Sequence, residues 1–134
     1  MDMSADGKNV RILVVDDEPS VREFVERALR HYGYDVTSAA DGNAAIAALS
    51  DGTVFDMLLT DIVMPDLDGV ALALKVANDW PDTKIVMMSG YTQQRQRAHN
   101  LEELVEAIIS KPFSIEDLCE QIDDILRGKI KNPA

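Results

Sequence analysis

The chain has 134 residues and a formal net charge of −11. This length suits one domain, and so negative a surface argues against partners rich in phosphate, such as nucleic acids and anionic membranes. A single cysteine leaves no disulfide framework within the chain, which is typical of a cytoplasmic protein.

No apolar stretch is long enough to span a membrane, and the polar first residues do not resemble a signal peptide. We therefore expect a disordered leader over residues 1–9, one folded domain over 10–127 and a short tail over 128–134.

From residue 10 onwards, apolar runs alternate five times with segments of helical character. The pattern predicts strands over 10–15, 36–39, 56–61, 84–89 and 106–110. Helices are predicted from Pro19 until Gly33 and then over 43–49, 69–80, 92–103 and 115–126. The fifth strand is the least distinct, because residues 101–109 also fit helical spacing, but Pro112 and the regular alternation favour a strand.

The last predicted helix carries the clearest boundary signal. Ser114 is a suitable N-cap with Asp117 three residues later, an acidic variant of the capping box. Its expected core face comprises Ile115, Leu118, Cys119, Ile122, Ile125 and Leu126.

Five strand–helix units predict an α/β fold of the doubly wound (βα)5 type, with a five-stranded parallel sheet and helices on both faces. Such sheets bind ligands outside the carboxyl ends of their strands.

Charged and polar side chains lie at those strand ends. Asp16 and Asp17 follow the first strand, Asp61 ends the third, Ser89 ends the fourth and Lys111 follows the fifth. Carboxylates gathered at one edge repel each other unless a cation joins them, and Mg²⁺ prefers such oxygen ligands. A carboxylate can also act as a nucleophile toward phosphorus. The pattern predicts a Mg²⁺ site beside a reactive Asp61, with Lys111 and Ser89 contacting a transferred phosphoryl group.

Four motifs resemble the receiver domains of bacterial two-component response regulators, which have the flavodoxin-like, CheY-like fold. They are Leu13-Val14-Val15-Asp16-Asp17-Glu18-Pro19, the stretch 59–69 (LTDIVMPDLDG), Met88-Ser89-Gly90-Tyr91 and Ser110-Lys111-Pro112-Phe113. The resemblance covers residues 11–126.

This resemblance implies a role for each site residue. Asp61 would be the phosphoacceptor, Asp16 and Asp17 would position Mg²⁺, and the backbone carbonyl of Val63 would add a further ligand. Ser89 would be the switch hydroxyl and Lys111 the phosphate contact. It also implies a signalling domain rather than an enzyme, phosphorylated by a histidine kinase or a histidine phosphotransfer protein.

Two positions depart from the common receiver pattern. Ile108 stands three residues before Lys111, where receivers often carry an aromatic switch residue, so that rotamer switch is absent. Tyr91 offers a substitute gate, although an aromatic at the rim of the site is the simpler interpretation. Val63 has no polar group to orient a hydrolytic water, and we therefore expect modest self-dephosphorylation.

Within the family, the chain is most similar to stand-alone cell-cycle regulators of alphaproteobacteria, the CpdR type. The stretch 59–69, Asp79-Trp80-Pro81 and the stretch 97–101 carry this similarity. It implies an adaptor that primes the ClpXP protease, with a ClpX-type unfoldase as partner and Arg95, Arg97 and His99 as a basic contact surface. We expect a monomer or a phosphorylation-dependent dimer.

Two other functions share parts of this pattern. A receiver belonging to a hybrid histidine kinase remains open, because its motifs would be the same. A phosphatase with an aspartate nucleophile is disfavoured, because Val63 occupies the position where such an enzyme needs a proton donor.

Overall fold

A five-stranded parallel sheet organises the part of the chain that the computed structural model describes, residues 10–64, 67–90, 105–111 and 113–128. The elements are β1 (Arg11–Val15), α1 (Pro19–His31), β2 (Asp35–Ala39), α2 (Gly42–Ser50), β3 (Met57–Asp61), α3 (Gly69–Asp79), β4 (Lys84–Ser89), β5 (Ala107–Ser110) and α4 (Ile115–Leu126). The predicted α/β fold with five strands is confirmed. The predicted helix over 92–103, the leader over 1–9 and tail residues 129–134 lie outside the described residues.

The strands follow the order β2-β1-β3-β4-β5, and every neighbouring pair is parallel. From β1 the chain moves outward on one side to β2, and all later strands are added on the other side. The strand order therefore reverses between β1 and β3, and ligands of doubly wound sheets bind at such a reversal.

The sheet is buried on both faces because helices cover each of them. All five residues of β3 are buried, and so are the last four of β1 and the last five of β4. One face packs against α2 and α3 through residues such as Leu58, Leu72 and Val76. The other packs against α1 and α4 through residues such as Leu59, Leu29 and Ile122. Near-continuous apolar strands are expected where a parallel sheet has two covered faces.

Side-chain caps fix where three of the helices begin. Asp41 accepts a hydrogen bond from the backbone N–H of Ala44 at 2.8 Å, and Asp68 accepts one from Ala71 at 3.0 Å. The predicted cap of the last helix is confirmed, because Ser114 Oγ accepts a hydrogen bond from the Asp117 N–H at 3.0 Å. Each cap of this kind contributes about 1 kcal/mol.

The core face of the last helix differs from the prediction at its first residue. Cys119 is fully buried as expected, but Ile115 is 40% exposed. Ile115 is the first residue of α4. It lies with Phe24, itself 39% exposed, on a groove along α1. Among the described helices, none is long and apolar enough to cross a lipid bilayer.

Candidate functional site

Two buried carboxylates meet where the strand order reverses. Val15 pairs with Thr60 across β1 and β3, so the next residues along the chain, Asp16 just after β1 and Asp61 at the end of β3, come side by side. Asp16 is 0% and Asp61 is 8% exposed. Burial of two like charges so close together requires compensation from nearby positive charge.

Lys111 supplies part of that compensation. Its Nζ lies 3.2 Å from Asp16 Oδ2 and 3.2 Å from Asp61 Oδ1. The backbone N–H of Lys111 donates a hydrogen bond to the Ser89 carbonyl at 2.8 Å, which fixes the lysine at the end of β5 beside the end of β4. The predicted convergence of Asp16, Asp61, Ser89 and Lys111 on one sheet edge is thus observed.

Asp16 is immobilised from several directions. Its backbone N–H donates to the Ala39 carbonyl at 3.3 Å, and its Oδ1 accepts a hydrogen bond from the Glu18 N–H at 2.9 Å. The guanidinium of Arg22 donates to the Asp16 carbonyl oxygen at 2.8 Å. This contact of Arg22 was not predicted from the sequence.

Asp17 completes a group of three carboxylates. One oxygen each from Asp16, Asp17 and Asp61 can be chosen so that all three lie within 4.8 Å of one another. Asp17 is exposed, whereas the other two are buried. The group therefore opens to solvent on the Asp17 side.

The surroundings of Asp61 and Lys111 raise the pKa of both groups. Burial is the largest influence on Asp61 and raises its pKa; Lys111 opposes this effect and Asp16 adds to it. Burial alone would lower the pKa of Lys111, but the carboxylates of Asp61 and Asp16 outweigh it and raise that pKa. The pKa of Asp61 is therefore raised mainly by burial, and that of Lys111 is raised by the two carboxylates that it contacts.

These residues fit a divalent cation of the magnesium type. Mg²⁺ binds oxygen at 2.0–2.1 Å, so oxygens on opposite sides of one ion are about 4.2 Å apart. The chosen oxygens of Asp16, Asp17 and Asp61 lie within 4.8 Å of one another, which is only slightly more than this distance. The exposed side of Asp17 leaves room for water ligands. A divalent cation would also supply the positive charge that the three carboxylates and Lys111 lack.

The loop after β3 is held very close to Asp61 because residue 69 is glycine. The Gly69 N–H donates to the Ile62 carbonyl at 2.7 Å, and a Cβ at Gly69 would collide with the backbone carbonyl of Asp61. Thr60 Oγ1 donates to that same carbonyl at 2.9 Å. Val63, the predicted backbone ligand, lies in this loop and is 44% exposed.

The remaining predicted residues divide into two groups. Ser89 is buried at 4% exposure, and Ile108 is half-buried against the core on the α2–α3 side of the sheet. Tyr91, Arg95, Arg97 and His99 lie outside the described residues. The suggested gate and the basic contact surface therefore stay predictions.

Comparisons with known proteins agree with this geometry. The family model described as the response regulator receiver domain matches residues 12–123. Response regulator receiver protein CpdR of Brucella abortus is 35% identical over 116 residues, covering 87% of this chain and 96% of that protein. Probable transcriptional regulatory protein TcrX of Mycobacterium tuberculosis is 34% identical over 123 residues, which are 92% of this chain but 52% of that protein. The chain thus spans about half the length of this relative.

Solved structures give the same result. The CheY-like receiver domain protein of Methanospirillum hungatei JF-1 superimposes with a TM-score of 0.81 at 30% identity, covering 91% of this chain and 97% of that one. Response regulator TrrA of Thermotoga maritima, solved in complex with Mg²⁺-BeF, has a TM-score of 0.77 at 29% identity, covering 87% and 98% of the two chains. The chain therefore belongs to the response regulator receiver domain family.

Proposed function

We propose that the protein accepts a phosphoryl group on Asp61 from a phosphohistidine, in a reaction that requires Mg²⁺. The observation that carries this proposal is the surroundings of the Asp61 carboxylate: the Lys111 ammonium lies 3.2 Å from it, and one oxygen each of Asp16, Asp17 and Asp61 lie within 4.8 Å of one another. Positive charge beside the incoming phosphoryl group stabilises the charge on its oxygens, and this arrangement provides one cation, Lys111, and three carboxylates that can bind another.

In the proposed reaction a carboxylate oxygen of Asp61 forms a bond to phosphorus as the bond between phosphorus and the donor imidazole breaks. The imidazole leaves with the electron pair of that bond and takes up a proton. Bound Mg²⁺ would neutralise charge on the phosphoryl oxygens, and Asp16, Asp17, Asp61 and the Val63 carbonyl would hold it.

Lys111 and Ser89 are suited to detect the product. Lys111 contacts both buried carboxylates, so a phosphoryl group on Asp61 would compete with Asp16 for its ammonium. Ser89 ends the neighbouring strand, and its carbonyl accepts the Lys111 N–H. We propose that movement of these two residues toward the phosphoryl group passes the signal to the surface.

This function is tested by intact-mass measurement after incubation with acetyl phosphate and MgCl₂. The expected result is one phosphoryl adduct on the wild type that disappears with EDTA and in Asp61→Asn. Asp56→Asn is a matched control, because Asp56 accepts a backbone hydrogen bond from Arg11 near the opposite edge of the sheet. An adduct that persists in Asp61→Asn would refute the assignment.

We further propose that the output is contact with another protein, of the adaptor kind suggested by the CpdR-type resemblance. The similarity to CpdR of Brucella abortus over 96% of that protein supports this reading. The partner would be a ClpX-type unfoldase, bound by the unphosphorylated form. A pull-down that compares wild type with and without acetyl phosphate tests it, and equal capture of both forms would count against the adaptor role.

A further inference from the structure

We propose that Arg22 is a positioning residue for the metal site, because it fixes the peptide group that joins Asp16 to Asp17. Its guanidinium donates a hydrogen bond of 2.8 Å to the Asp16 carbonyl oxygen, which belongs to that peptide group. This inference rests on the proposed Mg²⁺ site and adds to it a residue that touches neither the metal nor the phosphoryl group.

The position of Arg22 in α1 explains how it reaches the turn before the helix. The helix begins at Pro19, and the Arg22 N–H donates to the Glu18 carbonyl at 3.0 Å as part of the first turn. Long side chains in a helix lean toward its N-terminus. From one turn inside α1, the guanidinium therefore points back over the β1–α1 turn.

The two neighbouring aspartates depend on Arg22 to different degrees. Asp16 is also held by Lys111, by the Glu18 N–H and through its own N–H by Ala39. Asp17 is exposed to solvent. The direction of its carboxylate is consequently set by the backbone that carries it, and Arg22 holds the peptide group at the start of that residue.

The charge of Arg22 and its hydrogen bond should have opposite effects on Mg²⁺ affinity, so the two contributions can be distinguished by experiment. A cation near three carboxylates competes electrostatically with a metal, so loss of its charge alone should strengthen Mg²⁺ binding. Loss of the hydrogen bond should weaken binding, because groups that orient metal ligands matter nearly as much as the ligands themselves. The sign of the change in affinity therefore identifies the role.

The experiment is a MgCl₂ titration of the full chain, in which the NMR signals of the backbone amides of the β1–α1 turn report Mg²⁺ binding. Arg22→Met removes both the charge and the hydrogen-bond donor, and Arg22→Lys retains both. Arg27→Met is the control, because Arg27 is an exposed arginine on the same helix. Urea unfolding of each variant confirms that the titrated protein is folded.

We expect Arg22→Met to raise the Mg²⁺ dissociation constant about tenfold, Arg22→Lys to restore most of the affinity, and Arg27→Met to leave it unchanged. Unchanged or tighter binding by a folded Arg22→Met would overturn the inference while leaving the metal site intact. A wild type that binds no Mg²⁺ would overturn the inference together with the proposed metal site.

Discussion

Replacement of Lys111 by methionine tests how the buried carboxylates are stabilised. The substitution keeps an unbranched side chain, shorter than lysine by the terminal nitrogen, and so removes the ammonium that lies 3.2 Å from both Asp16 and Asp61. At this distance and an effective dielectric constant of about 20, each attraction amounts to about 5 kcal/mol, and desolvation of the three groups offsets much of it.

The net cost follows from the burial of the partners. Removing one member of a buried ion pair costs about 3–5 kcal/mol, because it leaves the other charge uncompensated. The Lys111 side chain is 23% exposed, so we expect the lower end of this range, about 3 kcal/mol. The loss of stability cannot much exceed the cost of protonating the uncompensated carboxylate, because the protein can relieve the charge in that way. For a carboxyl with a usual pKa of 3.8, this cost at pH 7 is about 4 kcal/mol.

The assay is urea unfolding of wild type and Lys111→Met between pH 4.5 and about 7.5, without Mg²⁺. The pKa of Asp61 is already raised in the folded protein, and loss of Lys111 should raise it further. The folded variant then binds protons that the unfolded chain releases, so its stability rises as the pH falls. The difference from wild type should therefore shrink toward low pH.

Lys75→Met is the matched control, since Lys75 pairs with Asp79 at 2.7 Å on an exposed face of α3. This exposed pair should contribute no more than about 0.5 kcal/mol. A loss for Lys111→Met no larger than for Lys75→Met, or one that does not depend on pH, would refute the reasoning.

Three further results are expected. Asp61→Asn should stabilise the fold at pH 7 without Mg²⁺, because a raised folded pKa means that ionised Asp61 destabilises the folded protein. This gain should shrink as the pH falls through the folded pKa and Asp61 is protonated, so an advantage that persists near pH 3 would be inconsistent. Gly69→Ala should lower the free energy of unfolding by at least about 2 kcal/mol, because its Cβ would collide with the Asp61 carbonyl; equal urea midpoints for the two proteins would contradict the close approach. The phosphorylated protein should lose its phosphoryl group slowly, because Val63 offers no polar side chain to a hydrolytic water, and a half-life of seconds with Mg²⁺ would exclude this explanation.

The sequence predicts the main features of the site because they depend on strand periodicity. Once β1 and β3 are recognised as parallel strands, Asp16 and Asp61 must emerge at the same edge, and Lys111 follows from the end of β5. The contacts at 3.2 Å confirm this convergence. The order of the strands, β2-β1-β3-β4-β5, was not predicted from the sequence and is seen only in the structure.

Features that depend on three-dimensional packing were not predicted. Hydrophobic spacing places Ile115 on the core side of the last helix, but spacing alone cannot show that this first residue of the helix stays 40% exposed. The hydrogen bond from Tyr34 to Asp123, at 3.3 Å, joins residues 89 positions apart, and no local pattern marks it. Arg22 did carry a signal, an arginine one turn into a helix that follows two acids, and it is recognisable only when the lean of helical side chains is considered.

The central claim is that Asp61 carries the phosphoryl group, and chemical reduction tests it most directly. Borohydride converts an aspartyl phosphate to homoserine, and peptide mass spectrometry then locates the modified residue. After treatment with acetyl phosphate and Mg²⁺, we predict homoserine at position 61 in the wild type and none in Asp61→Asn. Homoserine at Asp16 or Asp17, or at no position, would contradict the account.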